Sequence, residues 1–111
     1  MSELTTAASR LVSSDLLAEQ VEPVGLPTPL RIAEKVFGVE LDREVGVWEA
    51  GPGSDVDTEI DEVFLVLAGI GAVSFADGST INLRRGVLVQ LRAGDRTTWV
   101  ITERLRKLYI A

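Results

Sequence analysis

The sequence predicts an all-β domain built as an antiparallel sandwich or a closed barrel. From about residue 35 onward, short runs rich in β-branched and aromatic residues alternate with turn residues, and no convincing helical pattern interrupts them. Two of these runs, FLVLA and VLVQL, are nearly continuously apolar. Such runs are typical of strands covered on both faces, which suits a small barrel with a further contact on its outside.

About eight strands are predicted. The runs are EKVFGVE and REVGVWEA, then EVFLVLAG and GAVSFA joined at residues 69–71, then STINL, GVLVQL, RTTWVIT and RLRKLYIA. GPGSD and RAGD are predicted to be a loop and a turn, because glycine, proline and aspartate favour turn conformations. Asp77-Gly78 predicts a two-residue hairpin turn of type I′.

The N-terminal third differs in composition from the rest of the chain. SSDLLAEQ predicts a short helix capped by Ser13, Ser14 or Asp15. EPVGLPTP holds three of the four prolines and predicts an extended arm that lies across a sheet edge, either its own or a partner's. We therefore divide the 111 residues into an arm over 1–34 and a β domain over 35–111.

Composition excludes several kinds of chemistry. The chain has no cysteine and no histidine, so it offers no disulfide, thiol nucleophile, imidazole base or imidazole metal ligand. A net charge of −6 argues against sequence-independent nucleic-acid binding. No apolar run is long enough for a membrane span and no signal-peptide pattern is visible, so a cytoplasmic protein is expected.

Charge is distributed unevenly along the chain. Residues 42–62 carry eight acidic residues and one basic residue, whereas residues 84–107 carry seven basic residues and two acidic ones. Either these are solvated loops and strand edges, or the fold brings acidic and basic strands together across an interior.

Two spaced motifs resemble those of the cupin family. Glu62, six residues and Gly69 match the end of the first cupin motif, and Gly86 followed by Arg92-Ala93-Gly94 and Thr97 matches the second. Trp48-Glu49, Pro52-Gly53, Asp61-Glu62-Val63, Trp99 and the closing run RKLY are similar to the single-domain cupins of the ureidoglycine aminohydrolase type. The resemblance covers about residues 35–111 and implies a cupin jelly roll.

The resemblance also implies a metal site, but most of its ligands are replaced here. The family's first two histidines fall at Asp55 and Asp57, or at Val56 and Thr58, and its last histidine is Thr97. The family's glutamate survives as Glu62. We therefore expect no cofactor, with a weak alternative of a hard divalent cation held by Asp55, Asp57 and Glu62, since oxygen ligands suit Ca²⁺, Mg²⁺ or Mn²⁺. Asp55, Asp57, Glu59 and Asp61 are otherwise expected to form a solvated acidic rim.

Strand alternation selects the candidate pocket residues. Glu62 shares a strand face with Phe64, Thr97 with Trp99, and Lys107 with Tyr109. The resemblance implies that the Glu62 face points into the barrel. An inward carboxylate needs a partner, and the candidates are Arg92, Lys107 and Tyr109; alternatively Glu62 faces solvent beside Arg92. The pocket or ligand-binding candidates are Trp48, Glu62, Phe64, Arg92, Thr97, Trp99, Lys107 and Tyr109.

Two functions of different classes follow. The first is a metal-free binding or interaction cupin with a small polar pocket. The second is an enzyme on a small polar metabolite, ureidoglycine aminohydrolase-like or isomerase-like, that uses carboxylate, lysine or tyrosine chemistry or a carboxylate-bound divalent ion. The double-sided apolar strands and the arm predict a homodimer, a small polar ligand is a possible partner, and neither nucleic acid nor membrane is expected.

Overall fold

The computed structural model of the chain describes residues 6–25 and 28–111. In this part of the chain eight antiparallel strands and one short helix form the fold. The elements are α1 (Ala7–Arg10), β1 (Glu22–Pro23), β2 (Ala33–Phe37), β3 (Val45–Ala50), β4 (Gly53–Thr58), β5 (Glu62–Phe75), β6 (Thr80–Leu83), β7 (Leu88–Leu91) and β8 (Arg96–Ile110). The predicted all-β cupin jelly roll is confirmed.

Two long strands, β5 and β8, organise the barrel. They pair antiparallel along their whole length, with register shifts between Val66 and Gly71. The first half of β5 also pairs with β7 and its second half with β6. The first half of β8 pairs with β4, while its second half pairs with β3, which continues through β2 to β1. The two long strands therefore each contribute to both halves of the barrel.

The register shifts give both long strands a bend, and Gly69 makes this bend possible. Its φ is +95°, a conformation that favours glycine. A Cβ at this position would lie 2.2 Å from the backbone oxygen of Arg104 on β8. The sequence runs EVFLVLAG and GAVSFA are consequently one bent strand, as are RTTWVIT and RLRKLYIA, where the sequence predicted two strands in each case.

The core of the barrel is filled mainly from the last four strands, β5, β6, β7 and β8. Alternation along β5 buries Phe64 and Val66 before the bend and Val73 after it. Val89 and Leu91 of β7, Leu83 of β6, and Trp99, Ile101 and Leu105 of β8 pack against them. The inward-facing side chains of β5 and β8 therefore form a large part of the interior.

Two predicted turns are wrong in detail. Gly78 has positive φ but Asp77 does not, so the hairpin is not a two-residue type I′ turn. The amide of Phe75 donates to the carbonyl of Ser79, and the amide of Gly78 donates to the carbonyl of Phe75. The hairpin therefore has a three-residue loop over 76–78, with glycine as its last residue. GPGSD was predicted to be a loop, but its last three residues begin β4, because the chain pairs with β8 from Gly53 onward.

The predicted helix over SSDLLAEQ is also wrong. Residues 16–18 form a turn, in which the Asp15 carboxylate accepts from the amide of Leu17. The carbonyls of Leu16 and Glu19 accept from the Arg106 guanidinium, so a side chain of β8 satisfies them in place of helical amides. A helix instead forms over Ala7–Arg10, capped by the Thr6 side chain.

The N-terminal segment is attached to the outer face of the sheet. Glu49 of β3 accepts from Arg106 at 2.7 Å and also pairs with Arg104, while Arg106 holds the carbonyls of Leu16 and Glu19. β1 then adds an edge strand to β2. β2 begins at Ala33, so the division between residues 34 and 35 falls inside a strand, and residues 1–5 and 26–27 of the predicted arm lie outside the described part of the chain.

None of the helices in the described residues is long and apolar enough to cross a bilayer.

Candidate functional site

A cavity of about 480 Å³ opens between the arm, β3, β4 and the end of β8. Its wall is strongly acidic. The carboxylates that line it are Glu34, Glu44, Asp55, Asp57, Glu59 and Glu62. Lys107 is the only basic residue that lines it among the described residues, and Trp48, Trp99 and Tyr109 supply aromatic surface. The cavity is thus a site with one fixed cation, six carboxylates and aromatic walls.

Lys107 and Glu62 form a buried ion pair in this cavity. Lys107 of β8 lies opposite Trp48 of β3 on one side and opposite Val66 of β5 on the other. All three side chains therefore share the inner face of the sheet. The Lys107 ammonium donates to Glu62 Oε2 at 2.6 Å. The side chains are only 5% and 11% exposed, so solvent screens this pair little. Of the three sequence-predicted partners of Glu62, the structure brings Lys107 to it.

Aromatic rings surround the ammonium on its other sides. Lys107 Nζ lies 4.3 Å from the ring centroid of Phe64, 4.5 Å from that of Trp48 and 5.0 Å from that of Trp99. Each ring face attracts a cation through its quadrupole. The rings also pack on one another, with the Trp99 centroid 5.6 Å from those of Trp48 and Phe64. Lys107 is therefore held in a defined position.

Two opposing effects act on the protonation of Lys107. Burial lowers the pKa of its ammonium, since a charge in a dry site is costly. The charge and hydrogen bond of Glu62, followed by the charges of Glu59 and Asp57, act in the opposite direction, and the net pKa lies below the ordinary lysine value.

Glu59 is a site residue that the sequence interpretation missed. It was assigned to the solvated rim, but it is 8% exposed. Its Oε2 accepts from Thr97 Oγ1 at 2.6 Å and from Trp99 Nε1 at 2.9 Å. Its backbone is hydrogen-bonded to the turn before β8: its amide donates to the carbonyl of Asp95, and its carbonyl accepts from the amide of Gly94. The hydroxyl and indole donors on one strand face were the available signal, because buried donors require an acceptor.

Tyr109 closes the far side of the cavity. Its hydroxyl donates to Glu44 Oε2 at 2.7 Å, and glycine at position 46 leaves room for it, since a Cβ there would lie 2.7 Å from the Tyr109 oxygen. Burial, the hydrogen bond to Glu44 and the charge of Glu34 raise the pKa of the Tyr109 phenol. The phenol therefore stays protonated and acts as a donor.

Two carboxylates of the wall hold protons more tightly than usual. Burial raises the pKa of Glu34, and the charges of Glu44 and Glu62 add to this effect. Burial likewise raises the pKa of Asp57, with Glu59 as the strongest neighbouring charge. Burial is thus the main cause of both shifts, and the neighbouring carboxylates add to it.

The remaining predicted residues lie elsewhere. Phe64 and Thr97 stand behind the wall, under Lys107 and beside Glu59 respectively. Arg92 is exposed on the turn before β8, where its amide donates to Asp95. It forms no ion pair with the described carboxylates.

The candidate metal ligands do not fit a metal ion. Asp55 and Asp57 each use one carboxylate oxygen to accept from the next backbone amide, of Val56 and Thr58. Glu62 is occupied by the Lys107 ammonium. Within residues 6–25 and 28–111, no three Asp or Glu side chains are arranged to hold an ion, and the chain has no histidine or cysteine to replace them.

The family model described as the EutQ-like cupin domain matches residues 41–109. Among solved structures, an ethanolamine utilization protein Q of Salmonella typhimurium is 21% identical, with a TM-score of 0.65 over 75% of this chain and 70% of that chain. A Rhizobium leguminosarum protein of unknown function is 26% identical, with a TM-score of 0.65 over 76% and 81%.

A further structural neighbour is the polyketide cyclase RemF from Streptomyces resistomycificus, which is 20% identical, with a TM-score of 0.69 over 91% of this chain and 78% of that chain. At such identities the Salmonella and Streptomyces proteins show a shared fold alone. No curated protein matches the sequence.

Proposed function

The chain belongs to the family of EutQ-like cupin domains, and we propose that it is a metal-independent binding cupin for a small polar molecule that carries a positive charge. The observation that carries this proposal is the composition of the cavity wall: six carboxylates and two tryptophans face about 480 Å³ of space, against one lysine. The volume suits a small metabolite.

Charge selects the class of ligand. Lys107 is committed to Glu62, so a ligand anion would meet no free cation among the described wall residues. An ammonium group would find the carboxylates of Glu34 and Asp57, neither of which forms an ion pair with a cation of the described residues. Trp48 offers an indole that is partly accessible from the cavity, and such faces bind organic cations.

Tryptophan fluorescence provides a direct test, because both tryptophans of the chain line the cavity. Alkylammonium compounds and ethanolamine, the latter suggested by the name of the Salmonella neighbour, are titrated against alcohols and carboxylates of the same size. The ammonium compounds should change the fluorescence saturably and raise the melting temperature. Saturable binding of the carboxylates, or of none of the compounds, would contradict the proposal.

Matched variants locate the binding. Glu34→Gln and Asp57→Asn should weaken ammonium binding, and added salt should weaken it further in wild type, because part of the attraction is electrostatic. Glu40→Gln is the control, since Glu40 is exposed and lies outside the cavity wall. It should leave binding unchanged.

An enzyme acting on a small polar metabolite is the second candidate. It is favoured by Glu34 and Asp57, because carboxyl groups with raised pKa values are suited to proton transfer. Turnover of a bound ammonium compound, lost in Glu34→Gln or Asp57→Asn while binding persists, would establish it. The likeness to ureidoglycine aminohydrolase-type cupins stays a prediction that the same assay tests with ureido compounds.

A homodimer remains our proposal for the assembly. Val63 and Leu65 of β5 pair across the sheet with Ile110 and Leu108 of β8, and Leu65 also pairs with Leu88 of β7. Leu88 and Ile110 are 68% and 43% exposed, so this outer face presents apolar surface that a second copy would cover. Light scattering should give twice the 12.0 kDa chain mass, and a clean monomer mass would contradict it.

A further inference from the structure

Lys107 bonds the carboxylate to which the cupin resemblance implies a metal would bind. Glu62 is the one motif ligand that this chain keeps, and a metal would have to bind its carboxylate. The ammonium already bonds that carboxylate at 2.6 Å, from a strand that pairs with the Glu62 strand. The residues around Glu62 therefore do not fit the metal that the fold family implies.

The surroundings of the ammonium suit a lysine and do not suit a metal. Rings of Phe64, Trp48 and Trp99 lie 4.3–5.0 Å from Nζ and offer π faces in place of lone pairs. Divalent ions such as Mg²⁺ and Ca²⁺ require several oxygen ligands at short distance. Nearby Glu59 has one oxygen that already accepts from Thr97 and Trp99.

A divalent ion that entered would also be repelled by the ammonium. Lys107 is tethered by its strand and confined by the three rings, so it cannot move aside without losing those contacts together with Glu62. The carboxylate is in turn neutralised without any dissociable ion.

We propose that Lys107 is the resident cation of this cupin: its tethered ammonium neutralises Glu62 in place of a metal and keeps divalent ions from binding this carboxylate. Lys107 is thus a specificity-determining residue that makes the site independent of metal supply. This inference does not depend on the ligand proposed above, because it concerns only the pair and its surroundings.

The wild-type protein tests metal exclusion directly. The desalted chain is analysed for bound metal, and its melting temperature is measured with EDTA and with Mn²⁺, Ca²⁺ or Zn²⁺. We expect no stoichiometric metal and no shift that depends on Glu62. Stoichiometric metal that is retained by wild type and lost in Glu62→Gln would overturn the proposal.

Replacing the lysine tests the resident cation. Lys107→Ala should lower the melting temperature, and propylammonium, which can fill the vacated space, should restore part of the loss while propanol does not. The part of this rise that exceeds the effect of propylammonium on wild type should disappear in the double variant Glu62→Gln/Lys107→Ala, which separates the rescue from ammonium binding elsewhere in the cavity. Lys35→Ala is the control, at an exterior lysine whose Nζ lies 4.0 Å from Glu19 Oε1, and it should show no loss and no propylammonium effect beyond that of wild type.

A second pair of variants keeps the test decisive if Lys107→Ala does not fold. Lys107→Met fills the space of the side chain but leaves Glu62 unpaired. Glu62→Gln/Lys107→Met removes both charges and should therefore be more stable than Lys107→Met alone. Equal stability of the two, or failure of propylammonium to rescue a folded Lys107→Ala, would overturn the proposal.

Discussion

Two ion-pair sites lie on opposite faces of β8, an inner pair that joins it to β5 and an outer pair that joins it to β3. Trp48 and Glu49 are neighbours on β3, and they lie opposite Lys107 and Arg106 on β8. Because side chains alternate, Lys107 points into the barrel toward Glu62, whereas Arg106 points outward toward Glu49. The inner pair faces a cavity, while the outer cluster attaches the N-terminal segment to the sheet.

The choice of cation matches the task on each face. Arg106 bonds one carboxylate and two backbone carbonyls at once, which requires the forked donors of a guanidinium. Lys107 bonds one carboxylate and is otherwise surrounded by rings, which suits a compact ammonium. A single residue step along β8 therefore separates a structural ion pair from a candidate site.

The largest expected effect comes from removing the carboxylate that pairs with Lys107. Glu62→Leu leaves Lys107 buried without its partner and should lower the free energy of unfolding by about 3 kcal/mol. Glu62→Gln keeps a hydrogen-bond acceptor and should cost clearly less. Urea denaturation of both variants measures the difference. Equal, small losses would mean that the inner pair contributes no more than an exposed one.

A smaller effect is expected at the Glu59 carboxylate. Thr97→Val preserves the shape of the side chain but removes one of the two donors to Glu59, and it should cost about 2 kcal/mol. Thr98→Val is the matched control, because Thr98 is the next residue, is exposed and points the other way. Its effect should stay within about 0.5 kcal/mol. A similar loss in both variants would refute a special role for the buried hydroxyl.

The smallest effect is expected on the outer face. Glu49→Gln should cost about 1 kcal/mol, since Arg104 is 43% exposed and solvent screens part of the cluster. Trypsin should then cut more readily at Arg10 if the cluster holds the N-terminal segment. Unchanged protection would show that the segment is held by other contacts.

The pH dependence of the outer cluster has a definite sign. Burial raises the pKa of Glu49, but the hydrogen bonds from Arg104 and Arg106 outweigh it and hold the pKa below the ordinary value. The stability that Glu49 supplies is therefore complete above about pH 4.3, the ordinary glutamate pKa, and is lost as pH falls through the lowered value. The difference between wild type and Glu49→Gln should shrink below that pH.

Local alternation explains what the sequence could predict. It aligned Thr97 with Trp99 and Lys107 with Tyr109, and all four side chains are buried. It also grouped Glu62 with Phe64, and both contact Lys107. These relations need only the two-residue period of a strand, together with the family resemblance that oriented the face.

Contacts that depend on the path of the chain could not be predicted in this way. Glu59 lies between the end of β4 and the start of β5, so the alternation of side chains along a strand does not extend to it. The carbonyls of Leu16 and Glu19 accept hydrogen bonds from Arg106, which lies about 90 residues further along the chain. This long-range contact overrides the local helix pattern. The contribution of the arm to the cavity wall could not be predicted from the periodicity of the sequence either.

Diffraction from crystals soaked in Mn²⁺, recorded with its anomalous signal, shows whether Lys107 or a metal neutralises Glu62. We expect Lys107 Nζ to stay within hydrogen-bond distance of Glu62, with no anomalous peak against this carboxylate. An anomalous peak bound by Glu62, with the Lys107 ammonium displaced from it, would show that Lys107 is not the resident cation.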